Sequence, residues 1–214
     1  MKNIIPYINH LSAMMPVLTL QQKLLANIIY QTLALGESVS MAMIMKKLNI
    51  STVEAKILVN SLDEIEKDQQ SNITGFRGLS LTRGEFNIQV NNRQLFCWCA
   101  FDTLFVADLL STPCKVIAQC GQSQQALSFT IDRNEIIYGH CESIFMSLAL
   151  PSKECYQSNL QACFCHYVKF FKSKKLAQTW AQEYSDICIL PLQQAFELAK
   201  QRNLLFLGYA TSKG

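Results

Sequence analysis

The densest run of reactive side chains lies at Phe96–Thr103, where cysteines flank a tryptophan and an aspartate follows. An extended segment gives way there to a helix that begins near Cys99 or Ala100. A thiol at a helix N-terminus is stabilised as thiolate by the helix dipole and by amide groups. Asp102 lies in the same first turn, so the spacing places a soft-metal ligand beside a proton-carrying group. The structural alternative is that Cys97 and Cys99 are small buried hydrophobes and Asp102 a capping acid.

A second cluster of reactive side chains lies at Cys163–Phe171. The pattern predicts a strand over Phe164–Phe171, in which Cys163 and Cys165 would share one face. The Cys-x-Cys-His order allows a zinc half-site. Structural zinc sites, however, pair two close ligand pairs of wider spacing, so zinc is not favoured.

The nine cysteines of the chain all follow residue 96. Their number is odd, and a reducing cytosol keeps cysteines as thiols. We therefore expect no disulfide framework. Most of five further cysteines are expected to be buried packing residues: Cys97, Cys114, Cys141, Cys155 and Cys188.

The overall composition is that of a folded protein: half of the 214 residues are hydrophobic, 16% are charged, and the net charge is +3. Disorder requires low hydrophobicity and high net charge. The charge is too small to indicate a nucleic-acid partner by itself. The longest apolar-rich stretch, Phe96–Leu110, contains Asp102 and Asp108, so we expect no membrane span, and no export signal is found. The protein is predicted to be cytoplasmic.

Residues 1–83 have the pattern of a small helical domain that ends in a hairpin. Apolar spacing, serine caps at Ser40 and Ser51, and turn residues predict three helices and two paired strands. These elements are expected at Leu20–Leu35, Ser40–Leu48, Thr52–Lys67, and Ile73–Phe76 paired with Leu79–Leu81. Three helices followed by a β-hairpin are the outline of a winged helix.

The charge of the third predicted helix, Thr52–Lys67, indicates whether this domain binds DNA. The helix carries four acidic and two basic residues, a net charge of −2: Glu54, Asp63, Glu64, Glu66, Lys56 and Lys67. A recognition helix should attract phosphates rather than repel them. We therefore expect a structural or docking domain that does not bind DNA.

Residues 84–214 change to short extended segments with a few helices, which predicts a mixed-sheet catalytic domain and an α+β fold for the whole chain. The strands are expected at Phe86–Val90, Gln94–Trp98, Lys115–Cys120, Ala126–Ile131 and Ile144–Leu150. Helices are expected at Lys174–Tyr184 and Leu192–Arg202.

Three segments of this half resemble a known family. Leu95–Leu104 contains a Trp-Cys-Ala-x-Asp-Thr pattern and closely resembles the first active-site segment of bacterial organomercurial (alkylmercury) lyases. Phe164–Phe171 is similar to the segment that carries their second catalytic cysteine, although His166 stands where some relatives have a further cysteine. Val116–Cys120 resembles the stretch that holds a third, mainly structural cysteine.

The resemblance implies protonolysis of a carbon–mercury bond, in which R–Hg⁺ becomes R–H and Hg(II) for detoxification. Cys99 and Cys165 are then the thiolates that hold the substrate and product mercury, and Asp102 is the proton relay. No cofactor or resident metal is implied, and external thiols would assist product release. The expected partners are an organomercurial small molecule and a mercuric reductase that accepts Hg(II), with no nucleic acid and no membrane.

Two other functions compete with the lyase. A winged-helix metal-responsive transcriptional regulator would use the cysteine clusters as its sensor, but it would need a basic recognition helix. A thiol–disulfide enzyme could use a Cys-x-Cys pair, but no thioredoxin-like βαβ pattern surrounds Cys97 or Cys99.

Overall fold

The computed structural model describes residues 4–132, 135–139 and 143–208, so Cys141 lies outside the described residues. The described chain forms nine α-helices, in order α1 (Ile5–Met14), α2 (Leu20–Ala34), α3 (Met41–Leu48), α4 (Thr52–Asn60), α5 (Ala100–Leu110), α6 (Lys153–Ser158), α7 (Leu160–Cys163), α8 (Lys174–Ala181) and α9 (Leu192–Leu207). It also forms eleven strands, in order β1 (Ile65–Lys67), β2 (Ile73–Phe76), β3 (Leu79–Ser80), β4 (Phe86–Val90), β5 (Arg93–Cys97), β6 (Cys114–Gln119), β7 (Ala126–Asp132), β8 (Glu135–Tyr138), β9 (Phe145–Ala149), β10 (Phe170–Phe171) and β11 (Ile187–Pro191). The fold is α+β, as the sequence predicts.

The first three predicted helices correspond to α2, α3 and α4, and their caps have the expected form. Ser40 caps α3, and Ser51 forms a capping box with Glu54 at α4. The prediction that the third helix continues to Lys67 is wrong, because α4 ends at Asn60. Glu64 adopts a left-handed conformation with φ 59°, and the chain after it pairs as β1 with β2.

The strands form an eight-stranded sheet in the order β1-β2-β3-β5-β4-β6-β7-β8 and a three-stranded sheet in the order β10-β9-β11. Every ladder between the described strands is antiparallel, where a mixed sheet was expected. Short turns account for the pairs of consecutive strands in the larger sheet, whereas β3–β5, β4–β6 and the three-stranded sheet pair across longer connections. At the β4–β5 turn, for example, Asn91 and Asn92 both have positive φ, as a tight hairpin requires.

The segment that carries the second predicted site cysteine is not a strand. Phe164–Phe171 was expected to be extended, but α7 runs to Cys163, a 3-10 turn follows at Cys165–Tyr167, and β10 alone is strand. The Asn159 side chain caps α7 by accepting a hydrogen bond from the Ala162 amide at 3.0 Å. A cap of this kind starts a helical turn, and apolar content alone does not reveal it.

Helix α5 forms the centre of the molecule. It packs against α9 and contacts strands of both sheets, including β4, β6 and β9. Nine of its residues are buried, from Ala100 to Leu109, so this helix is enclosed on all sides. None of the helices in the described part of the chain combines the length and apolar character needed to cross a bilayer.

One disulfide corrects the expectation that the cysteines remain thiols. Cys155 in α6 is bonded to Cys163 at the end of α7, with their Cα atoms 5.8 Å apart. Eight residues separate the two in sequence. This bridge closes a small helical hairpin that leads directly into the Cys165 turn.

Candidate active site

Cys99 lies at the N-cap of α5, at the position that the sequence predicts for the helix start. One residue separates it from the end of β5, so Cys99 lies where the chain passes from the sheet into the central helix. The Ala100 amide donates a hydrogen bond to the Val168 carbonyl oxygen at 3.2 Å, which ties this helix start to the chain just after Cys165. The side chain of Cys99 is fully buried.

Asp102 occupies the first turn of α5 and accepts a hydrogen bond at 2.8 Å from the Cys99 backbone N–H to its Oδ2 atom. The capping interpretation is therefore correct as a description of this contact. The carboxylate is only 5% exposed. Its position beside Cys99 also leaves it available for chemistry at that sulfur.

Cys165 begins the 3-10 turn after α7. It follows Asp102 by 63 residues in sequence, yet its side chain lies beside that carboxylate. Its Sγ atom lies 4.0 Å from Asp102 Oδ2, and the residue is 6% exposed. One ligand atom from each of Cys99, Asp102 and Cys165 lies within 4.8 Å of the others. The structure thus brings all three predicted site residues together, while their catalytic and mercury-binding roles remain predictions.

Burial raises the pKa of the Cys99 thiol well above its ordinary value, and the hydrogen bond with Cys165 and the charge of Asp102 add to this. The expectation of a lowered thiol pKa at this helix N-terminus is therefore wrong. For Cys165, the hydrogen bond with Cys99 lowers the pKa, but burial and the nearby carboxylates outweigh it, and the pKa is raised. Both sulfurs are thus thiols at neutral pH.

Asp102 has a pKa of about 6, raised by burial from the ordinary value of a carboxyl group. Hydrogen bonds from Cys99 and the positive charges of Arg202 and Arg77 oppose the rise. A carboxyl group with this pKa exchanges its proton readily near neutral pH.

Two arginines that sequence reasoning missed line the cavity beside Asp102 and Cys165. Arg77 and Arg202 are each 6% exposed, and within the described residues neither forms an ion pair. Arg202 packs its guanidinium over the Phe105 ring at 3.8 Å. The apolar spacing along α9 places the charged Arg202 on the buried face of the helix, and this signal could have identified it.

The rest of this cavity is apolar, formed by aromatic and aliphatic side chains from four parts of the chain. They include Leu11, Met15, Phe101, Leu160 and Phe164. An apolar wall next to two sulfurs suits an organic group attached to a soft metal, because it excludes water and polar competitors.

The side chain of Trp98, directly before Cys99, is hydrogen-bonded to a residue outside the site. Its indole N–H donates to Glu66 Oε1 at 2.6 Å, and the Ser80 hydroxyl donates to the other carboxylate oxygen at 2.5 Å. The sequence pattern placed Glu66 in the third predicted helix, Thr52–Lys67, so its part in orienting Trp98 was missed. This link joins β1 to the segment that carries the first cysteine.

Comparisons with known proteins show which family the chain belongs to. The alkylmercury lyase family model matches residues 79–202, which include Cys99, Asp102 and Cys165. The chain belongs to the alkylmercury lyase family. It is accordingly an enzyme of the class that acts on carbon–mercury bonds.

Curated members of the family align over most of this chain. It is 26% identical over 168 residues to the alkylmercury lyase of Staphylococcus epidermidis, covering 78% of this chain and 76% of the relative. It is 27% identical over 166 residues to the alkylmercury lyase of Pseudomonas putida, with the same shares covered.

A solved structure shares the family fold. The crystal structure of the mercury-bound form of MerB2 superposes with a TM-score of 0.77 at 19% identity, over 96% of this chain and 100% of that chain. At this identity the likeness establishes the fold, and the site residues of this chain rest on their own geometry.

Proposed function

We propose that this protein is an organomercurial lyase in which Cys99 and Cys165 bind one mercury and Asp102 supplies the proton to carbon. The observation that carries this proposal is the convergence of the three groups within 4.8 Å in a buried site. Soft mercury prefers thiolate over other protein ligands, so two adjacent sulfurs are the appropriate donor set.

Loading begins with two protonated thiols, because their pKa values are raised. The first sulfur to bind mercury loses its proton, and Asp102 is the base placed to accept it. Its Oδ2 atom lies 4.0 Å from Cys165 Sγ, and its carboxylate lies within 4.8 Å of the Cys99 sulfur. Its pKa of about 6 allows it to take up and release that proton near neutral pH.

Cleavage requires the second sulfur. One thiolate gives a linear R–Hg–S species that is stable, whereas a second thiolate raises the coordination number and pushes electron density onto carbon. The carbon–mercury electron pair then takes the proton from Asp102. Overall, R–Hg⁺ and two thiols give R–H, a mercury bonded to both sulfurs, and one released H⁺, and no electron is gained or lost.

The protein's own residues account for each step of this scheme, and we propose that it needs no cofactor. External thiols would exchange Hg(II) off the enzyme, and a mercuric reductase in the cytoplasm would accept it. The apolar cavity wall would hold the organic group while water is excluded from the mercury.

We also propose that residues 1–83 form a winged-helix-like unit without DNA-binding activity, and that the catalytic domain covers residues 84–214. Helices α2, α3 and α4, followed by the β2–β3 hairpin, support the first part. Helix α4 carries one acidic and one basic residue, Glu54 and Lys56, so it lacks the positive charge of a DNA-reading helix.

The test is headspace detection of benzene or methane after purified protein is mixed with phenylmercury or methylmercury and excess thiol. We expect hydrocarbon from the wild type and none from Cys99→Ser or Cys165→Ser. Cys188→Ser is the matched control, since Cys188 is half-buried in β11 and has no part in the proposed site. Unchanged hydrocarbon release from Cys165→Ser would contradict the proposal.

A further inference from the structure

The helical hairpin α6–α7 carries a second pair of sulfurs next to the reaction site. Cys155 and Cys163 have Cα atoms 5.8 Å apart, and both side chains are half-buried. Cys99 and Cys165 are buried, at 0% and 6% exposure. The outer pair is therefore reachable from solvent, while the inner pair is enclosed.

The outer pair adjoins the inner pair along the chain and through the cavity wall. Cys163 precedes Cys165 by two residues, so their Cα atoms lie at most ~7 Å apart. Tyr156, next to Cys155, packs its ring against Phe164 with centroids 6.0 Å apart. Tyr156 and Cys165 line the same cavity. The hairpin therefore forms part of the wall of a cavity that Cys165 also lines.

We infer that the reduced Cys155–Cys163 pair is a second Hg(II) site, which receives the product mercury from Cys99 and Cys165. The inference rests on the proposed function for the origin of that mercury. Two thiols that lie close enough to form a disulfide can also bind one soft ion between them after side-chain rotation. Such a site passes the mercury from the buried sulfurs to more exposed ones, from which external thiols can remove it.

Both steps balance with a small monothiol as the reductant. Two R–SH molecules reduce the disulfide, giving R–S–S–R and the thiols of Cys155 and Cys163. In the transfer, each outer thiol forms a bond to mercury and its proton goes to the inner sulfur that is released. Mercury remains Hg(II) throughout, so this exchange needs no further oxidant or reductant.

The first experiment counts tightly held mercury. Protein reduced with 2-mercaptoethanol is loaded with HgCl₂, washed with excess 2-mercaptoethanol, and analysed by native mass spectrometry. We expect two ions per chain in the wild type and in Cys188→Ser, and one in Cys155→Ser or Cys163→Ser. The control removes the remaining half-buried cysteine among the described residues. One ion in the wild type, or two in either hairpin variant, would overturn the inference.

The second experiment follows the transfer in the wild type and so does not depend on how the variants fold. After one equivalent of phenylmercury has been turned over, Cys155 and Cys163 should be alkylated by iodoacetamide at least ~10-fold more slowly than in mercury-free reduced protein. Equal alkylation rates would refute the transfer. If HgCl₂ loads two ions but phenylmercury yields no benzene, the lyase proposal fails while the outer site stands.

Discussion

At the scale of single residues, Asp102 combines a structural and a chemical position. Its Oδ2 atom caps the helix by accepting the Cys99 N–H at 2.8 Å and also lies 4.0 Å from Cys165 Sγ. Burial holds its pKa at about 6. The two interpretations of the sequence, a capping acid and a proton carrier, therefore describe the same carboxylate and do not exclude one another.

Replacement of this residue by its amide separates the two roles. In Asp102→Asn the side-chain oxygen can still accept the Cys99 N–H, so we expect the fold and mercury binding to persist. Proton transfer should be lost, and we expect benzene formation from phenylmercury to fall by roughly 10²–10⁴-fold, the usual contribution of a general acid. Headspace analysis beside Hg(II) titration measures both quantities. Wild-type turnover in this variant would show that the proton comes from another group.

The sequence predicted the convergence of three side chains better than it predicted their environment. Cys99, Asp102 and Cys165 were identified from short motifs, and they do converge. The thiol pKa values were mispredicted because the helix-dipole argument applies to an exposed terminus, whereas burial here favours the neutral thiols. Arg77, which lines the same cavity, has no local pattern that would reveal its position.

At the scale of secondary-structure elements, the turn between β2 and β3 positions the acid. Gly78 has φ 104°, a conformation that side chains rarely adopt. A Cβ atom added there would lie 2.6 Å from Asp102 Cγ and 2.8 Å from the Phe105 ring. The carbonyl of Gly78 also accepts the Trp98 amide at 3.2 Å. The hairpin therefore packs directly against the first turn of α5.

Gly78→Ala should displace the Asp102 carboxylate and destabilise the fold. We expect a loss of ~1–3 kcal/mol in the free energy of unfolding from backbone strain alone, together with a fall in turnover. Gly84→Ala is the control, because a Cβ atom there would meet its nearest neighbour at 3.4 Å, an ordinary contact. Urea denaturation and headspace assays of both variants provide the comparison. Equal stability and activity of the two variants would contradict this role of the turn.

Elements with strong local signals were predicted well, and elements defined by pairing were not. Serine caps located α3 and α4, and alternation located β4. The end of α4 was misplaced because Ile65–Lys67 is extended through its pairing with β2, a partner that helical spacing does not reveal. The Phe164–Phe171 segment was mispredicted because the chain leaves α7 through a 3-10 turn at Cys165–Tyr167 and only Phe170–Phe171 pairs with β9.

At the scale of the whole molecule, the site depends on contacts between distant parts of the chain. The eight-stranded sheet continues from β3 to β5, so strands from both halves of the sequence are hydrogen-bonded neighbours. Central helix α5 presents Cys99 and Asp102, and the Ala100–Val168 hydrogen bond fixes the Cys165 turn against it. Short motifs indicate which residues belong to the site, but they do not say how far apart those residues lie in the folded protein. The tertiary fold supplies that distance.

The central claim is that two sulfurs must act on one mercury before the carbon–mercury bond breaks. Intact mass spectrometry of reduced protein after one equivalent of phenylmercury tests it directly. The wild type should carry mercury without the phenyl group, and Cys165→Ser should carry intact phenylmercury. Mercury without phenyl on Cys165→Ser would contradict the account.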